Sequence, residues 1–174
     1  MTVLRLAVLL ALAAASAPAF AAPVSSTVLS PDAYQSFVGN WTPASAPLCA
    51  VIDSSTRWNA VLHPAAVMGA GKPFAPPPSF WTSHMVLLLA RVIPAGGEGA
   101  FTAPSVAGHG RTLTVSYTFT APAPASSTIG WYLALAVAKS APTSVVFEEN
   151  GHTVCSLSPA RGAWRSPAAG DSGR

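Results

Sequence analysis

From residue 111 to residue 120 the side chains alternate without a break. Leu113, Val115, Tyr117 and Phe119 fall on one face, and Thr112, Thr114, Ser116, Thr118 and Thr120 on the other. A period of two built from β-branched and aromatic residues predicts a half-buried antiparallel strand. A second signal lies near the C-terminus, where Asn150-Gly151 separates two apolar runs, 144–149 and 152–157. Both residues tolerate positive φ, so the pair predicts a type I′ hairpin turn.

Three further segments read as strands. Residues 84–92 (HMVLLLARV) are apolar at successive positions, as in a central strand covered on both faces. Residues 131–137 alternate large with small, and residues 48–52 are a short apolar run. Residues 101–107 form a weaker strand signal, interrupted by Pro104. Two helices are expected. Ser30-Pro31-Asp32 is a helix-start pattern followed by Tyr34, Phe37 and Val38 at helical spacing, with Gly39 to end it. Ser55 is placed to cap the second, in which Trp58, Val61 and Leu62 share a face. Residues 64–79 read as a Pro/Gly-rich connector whose Pro76-Pro77-Pro78 run should be polyproline II. These elements predict a mainly β fold, an antiparallel β-sandwich or partly open barrel with one or two short helices.

Residues 1–21 have the parts of a secretory signal: Arg5, an apolar stretch over 6–15, and Ala19-Phe20-Ala21 before a cleavage site. The expected organisation is a signal peptide at 1–21, a single β-rich domain at 22–157 and a disordered tail at 158–174 that carries Trp164. The expected location is the periplasm or the secreted fraction, with no stable membrane span after cleavage. Without Arg5 the chain has eight bases and six acids. Three of those bases, Arg161, Arg165 and Arg174, sit in the tail, so the body is neutral and offers no clustered basic face for nucleic acid. Export also frames Cys49 and Cys155, read here as a disulfide that closes a loop of about a hundred residues, the alternative being two buried thiols.

Reactive constellations are scarce. There is no G-x-S-x-G elbow, and the four histidines, His63, His84, His109 and His152, lack metal-ligand spacing. Ser83 and His84 read as neighbours on a strand, which would point them to opposite faces, and the same applies to Glu148 and Glu149. The expectation is a non-enzymatic protein with no metal and no cofactor. Two other readings stand beside it. One is a hydrolase with Ser83 or Ser116, His109 and Asp53 as a dispersed triad. The other is a carrier of a small apolar ligand, with Trp58, Trp131 and Tyr117 lining its pocket. The leading expectation is a binding loop. Gly96, Gly97, Glu98 and Gly99 permit close backbone approach, and Phe80 and Trp81 supply aromatic surface to another envelope protein.

The order of features also resembles a known family. An apolar strand and a Trp-containing helix (52–62) are followed by Phe80-Trp81 before Met85-Val86-Leu87-Leu88-Leu89, and then by the Gly96-Gly97 loop. Leu113-Thr114-Val115, Pro122 with Pro124, an aromatic strand and Val145-Val146-Phe147 complete the series. Over roughly residues 49–149 this is similar to the protease complex subunit PrcB family, whose C-terminal domain carries a DFS…MVL…G…TGGY pattern. Ser79 stands where that pattern has Asp, and Ala95-Gly96-Gly97-Glu98 where it has Thr-Gly-Gly-Tyr. The resemblance implies a non-enzymatic accessory or regulatory subunit of an exported protease.

Overall fold

The computed structural model describes residues 21–29, 34–36, 47–62, 64–66, 75–94 and 100–158. Along the chain run β1 (Ala22–Val24), β2 (Ser26–Val28), β3 (Tyr34–Ser36), β4 (Leu48–Ile52), α1 (Ser55–Leu62) and β5 (Pro64–Ala66). Then follow α2 (Phe80–Ser83), β6 (His84–Pro94), β7 (Phe101–His109), β8 (Thr112–Phe119), β9 (Thr128–Ala138), β10 (Ser144–Glu149) and β11 (His152–Leu157). Two sheets carry the fold, one in the order β1-β7-β8-β10-β11 and the other β2-β9-β6-β4. They remain separate and face each other as a sandwich, not a barrel.

The composition of β6 accounts for the layering. Its odd-numbered residues Met85, Leu87 and Leu89 enter the core between the sheets, where they meet Val106, Leu113, Val115, Leu133, Leu135, Val145 and Phe147. Its even-numbered residues Val86, Leu88 and Ala90 enter a second core with Trp58, Val61 and Leu62 of α1 and Trp81 of α2. The strand is therefore covered on both faces, as its unbroken hydrophobicity predicts. Full burial of each leucine contributes about 1.5–3 kcal/mol.

Several expectations are met in detail. β10 and β11 have the bounds read from the sequence, and Asn150 and Gly151 take φ of 51° and 81°. Pro104 does interrupt β7: the register with β8 shifts between Thr102 and Ser105, and Ala103 takes φ 49°. Cys49 and Cys155 are disulfide-bonded, with Cα atoms 6.4 Å apart. The bond joins β4 to β11, the outer strands of the two sheets on one side of the sandwich.

Four expectations are corrected. Tyr34–Ser36, within the stretch expected to be a helix from Ser30, is instead a strand paired antiparallel with Pro64–Ala66. A two-turn helix is too short to hold by propensity alone, and ladder pairing satisfies the same backbone groups. Residues 30–33 and 37–46 lie outside the described residues, as do the leader and Trp164. The cap of α1 is Ser54, whose Oγ accepts from the Arg57 amide at 3.3 Å. The proline run ends in a turn, since Pro77 and Pro78 carbonyls accept from the Phe80 and Trp81 amides and start α2. Finally, β10 lies parallel to β8, because the intervening chain crosses to the other sheet as β9 and returns.

Candidate functional site

Strand β6 separates the two halves of the predicted binding surface. Phe80 and Trp81 precede it, and Gly96, Gly97, Glu98 and Gly99 follow it. Its 11 residues span about 33 Å at the rise of a strand, so the two groups are attached at opposite ends of the sandwich. The four loop residues lie outside the described residues; their anchors, Pro94 and Ala100, lie within them.

At the first end, Trp81 is only 7% exposed and packs against Trp58, with ring centroids 6.0 Å apart. Its carbonyl accepts from Lys139 Nζ at 2.8 Å, and its buried indole Nε1 has no hydrogen-bond partner among the described residues. Phe80 is half-buried and stacks on the His84 ring at 4.9 Å. Trp81 is thus a core residue, and Phe80 and His84 carry the aromatic surface there. Ser83 Oγ lies 2.9 Å from His84 Nδ1. Strand alternation does not separate this pair because Ser83 closes α2 and only His84 begins β6.

The dispersed triad is not assembled by the contacts seen. Ser116 donates to Glu148 at 3.1 Å, and His109 ends β7 in one sheet while Asp53 follows β4 in the other. Nor do Trp58, Trp131 and Tyr117 line one pocket. Trp58 belongs to the helix-side core and Tyr117 to the core between the sheets. A cavity of about 170 Å³ lies by Gly110, Arg111, Leu113 and Ala141, where the Arg111 guanidinium donates to the Ala141 carbonyl at 2.9 and 3.2 Å. Pockets that hold drug-sized ligands run from about 300 Å³ upward.

The second end, where residues 95–99 are rooted, holds a polar cluster that spans the two sheets. Arg91 Nη2 meets Glu149 Oε1 at 2.7 Å, and the Tyr117 hydroxyl donates to Glu149 Oε2 at 3.0 Å. Arg91 comes from β6 and the other two from β8 and β10, so the cluster ties one sheet to the other. The guanidinium also lies over the Phe119 ring, 4.7 Å from its centroid, and Phe101 packs edge-on against Tyr117. Burial, and then the charge and hydrogen bond of Glu149, raise the Tyr117 hydroxyl well above its ordinary pKa, against the pull of Arg91. The hydroxyl is therefore a donor at any physiological pH.

Asn150 completes this end. Its side-chain Oδ1 accepts from the Phe119 amide and its Nδ2 donates to the Phe119 carbonyl, both at 3.0 Å. The amide copies a strand's pairing pattern and fixes the hairpin tip beside Phe119. The assembly is a platform of one ion pair, three aromatic rings and a hairpin, at the end of β6 to which residues 95–99 are attached. No group of three or more His, Cys, Asp or Glu placed to hold a metal occurs among the described residues.

Composition and motif do not single out Arg91 and Glu149, although the sequence carries a signal for them. Each continues the inward register of an apolar strand, after Met85, Leu87 and Leu89 in one case and Val145 and Phe147 in the other. A charge at a core-facing position needs a partner. No family model matches this chain, and comparison with curated proteins and with solved structures finds no match either.

Proposed function

We propose that this chain is an exported, non-enzymatic envelope protein that acts by protein–protein recognition, through the end of the sandwich built on Arg91, Tyr117, Phe119, Glu149 and Asn150. One observation carries the reading: the Arg91–Glu149–Tyr117 tie fixes both sheets at the place where the glycine-rich segment 96–99 is anchored. Recognition residues commonly sit on loops held by a rigid scaffold, and an arginine beside aromatic rings is the composition that dominates binding energy at interfaces. The disulfide fits an oxidising compartment. No helix among the described residues is long and apolar enough to cross a membrane. We place the protein in the periplasm or the secreted fraction, where the partner implied by the PrcB-like order of motifs is an exported protease.

Site-specific photo-crosslinking tests this. A photoreactive residue at Glu98 or Phe119 should capture a defined envelope protein, a protease by this reading, while one at Ala141 on the far end should not. Equal capture from both positions, or from neither, overturns it.

A further inference from the structure

The two lateral sides of the sandwich are closed in different ways. On one side, β4 and β11 are joined by the Cys49–Cys155 disulfide. On the other, a single segment closes both sheets. Ala22–Val24 pairs with Val106–Gly108 of β7, and Ser26–Val28 pairs with Leu135–Val137 of β9. The chain crosses from one sheet to the other at Ser25, and the Leu29 amide adds a bond to the Ala134 carbonyl at 2.8 Å.

This strap is lightly held. Val24 packs against the core between the sheets and Leu29 against the helix-side core, while Val28 is 46% exposed. Ala22, Pro23, Ser25 and Thr27 are exposed as well. Few buried contacts and an edge ladder of three residues per sheet place the segment at the low end of local stability. Val24 has a specific seat. A Cβ on Gly108 would stand 3.2 Å from Val24 Cγ2, so the missing side chain of Gly108 is the notch that receives it.

The strands beneath the strap lack the usual protection of a sheet edge. Val106, Ala107 and Gly108, with Leu135, Ala136 and Val137, include no charge and no proline, and the bulge of β7 lies further along, at Thr102–Ser105. The β1 half of the strap is guarded, because Pro23 has no N–H to offer to a further strand. The molecule thus protects the outer edge of β1 and not the edges of β7 and β9 that the strap covers.

We infer that the adjoining edges of β7 and β9 form a strand-acceptor site, filled in cis by residues 22–29. In trans it takes an extended, uncharged peptide segment of a partner protein with a β-branched residue in the Gly108 notch. Main-chain pairing would supply affinity and the notch would supply selectivity, the physics of strand addition to a sheet. The site lies on the side of the sandwich, away from the Arg91–Glu149 end, and stands or falls independently of the function proposed there.

The test uses the full chain and a fluorescent peptide of residues 21–29. Val24→Asp in the protein weakens the cis strap and should tighten peptide binding at least tenfold over the unmodified chain. The same substitution in the peptide should abolish binding, and Gly108→Val added to the Val24→Asp protein should abolish it too. Near-UV circular dichroism checks that each variant is folded, and Val24→Ser serves as the milder strap variant. Peptide binding that ignores Val24→Asp in the protein, or survives Gly108→Val, overturns the site. A concentration-dependent dimer of the unmodified chain, with no binding of the peptide, overturns the partner in favour of exchange between copies.

Discussion

Arg91 and Glu149 stand 58 residues apart in sequence and meet at 2.7 Å, the guanidinium from β6 and the carboxylate from β10. The contact sits where the apolar core ends, with 25% of the arginine side chain and 14% of the glutamate side chain exposed. It fastens the sheets at the end remote from α2, and with Tyr117 it occupies both carboxylate oxygens. Partial burial makes its loss asymmetric: removing one member leaves the other charge half-desolvated.

Glu149→Ala is therefore expected to cost about 2 kcal/mol, between the ~0–1 of exposed pairs and the ~3–5 of fully buried ones. Replacing both members, as Arg91→Met with Glu149→Leu, should recover part of that loss. Tyr117→Phe keeps the packing against Phe101 and removes one hydrogen bond, for about 1 kcal/mol. Urea unfolding midpoints measure all three. A double variant less stable than Glu149→Ala alone would contradict the account.

Asn150 has two separable roles, a positive φ of 51° and the paired amide contact with Phe119. Asn150→Gly keeps the backbone freedom and loses the contacts, at about 1–2 kcal/mol. Asn150→Ala loses both and should fall roughly 1 kcal/mol further, the cost of a left-handed conformation at an ordinary residue. Thermal unfolding of the two variants ranks them, and equal melting temperatures would remove the backbone contribution.

Much of this fold could be read from local pattern. The alternation of Leu113, Val115, Tyr117 and Phe119, the two-sided apolarity of 84–92 and the Asn150-Gly151 turn each specify their element within a few residues. What could not be read depends on pairing at a distance. The parallel contact of β8 with β10 arises only because β9 leaves for the other sheet, and nothing in 112–119 or 144–149 marks that direction. The strap at 22–28 was invisible for the same reason: three-residue strands carry no periodicity, and their stability is supplied by the edges of β7 and β9. At the candidate site the glycine loop drew attention by composition. Arg91 reads as an isolated charge and Glu149 as the second of two adjacent acids, each at the end of an apolar strand, and only the packing of one sheet on the other makes them a pair.

The disulfide joins residues 106 apart in sequence. In the chain-entropy model a closure of that length is worth about 4–5 kcal/mol, a large share of the ~5–15 kcal/mol typical of a domain. Cys49→Ala with Cys155→Ala, or reduction with dithiothreitol, should lower the urea midpoint by a corresponding amount. Its effect should exceed that of any substitution at the Arg91 end. A reduced protein with an unchanged midpoint would show that β4 and β11 are held by packing alone.

The Tyr117 hydroxyl gives the stability a signature in alkaline solution. Its pKa in the folded state is raised from 10.0, chiefly because burial disfavours the phenolate and then because Glu149 adds its charge and hydrogen bond. The folded state therefore keeps this proton where the unfolded chain has released it. Below about pH 10 both states are protonated and the hydroxyl's contribution to stability is fully present. Above that, unfolding releases a proton, and stability falls by up to about 1.4 kcal/mol for each pH unit attributable to this group. Tyr117→Phe has no such proton, so its unfolding free energy should decline less steeply between pH 9.5 and 11 than that of the unmodified chain. Parallel declines for the two proteins, measured by urea unfolding across that interval, would mean that Tyr117 ionises as freely in the folded protein as in water, contrary to its burial against Glu149.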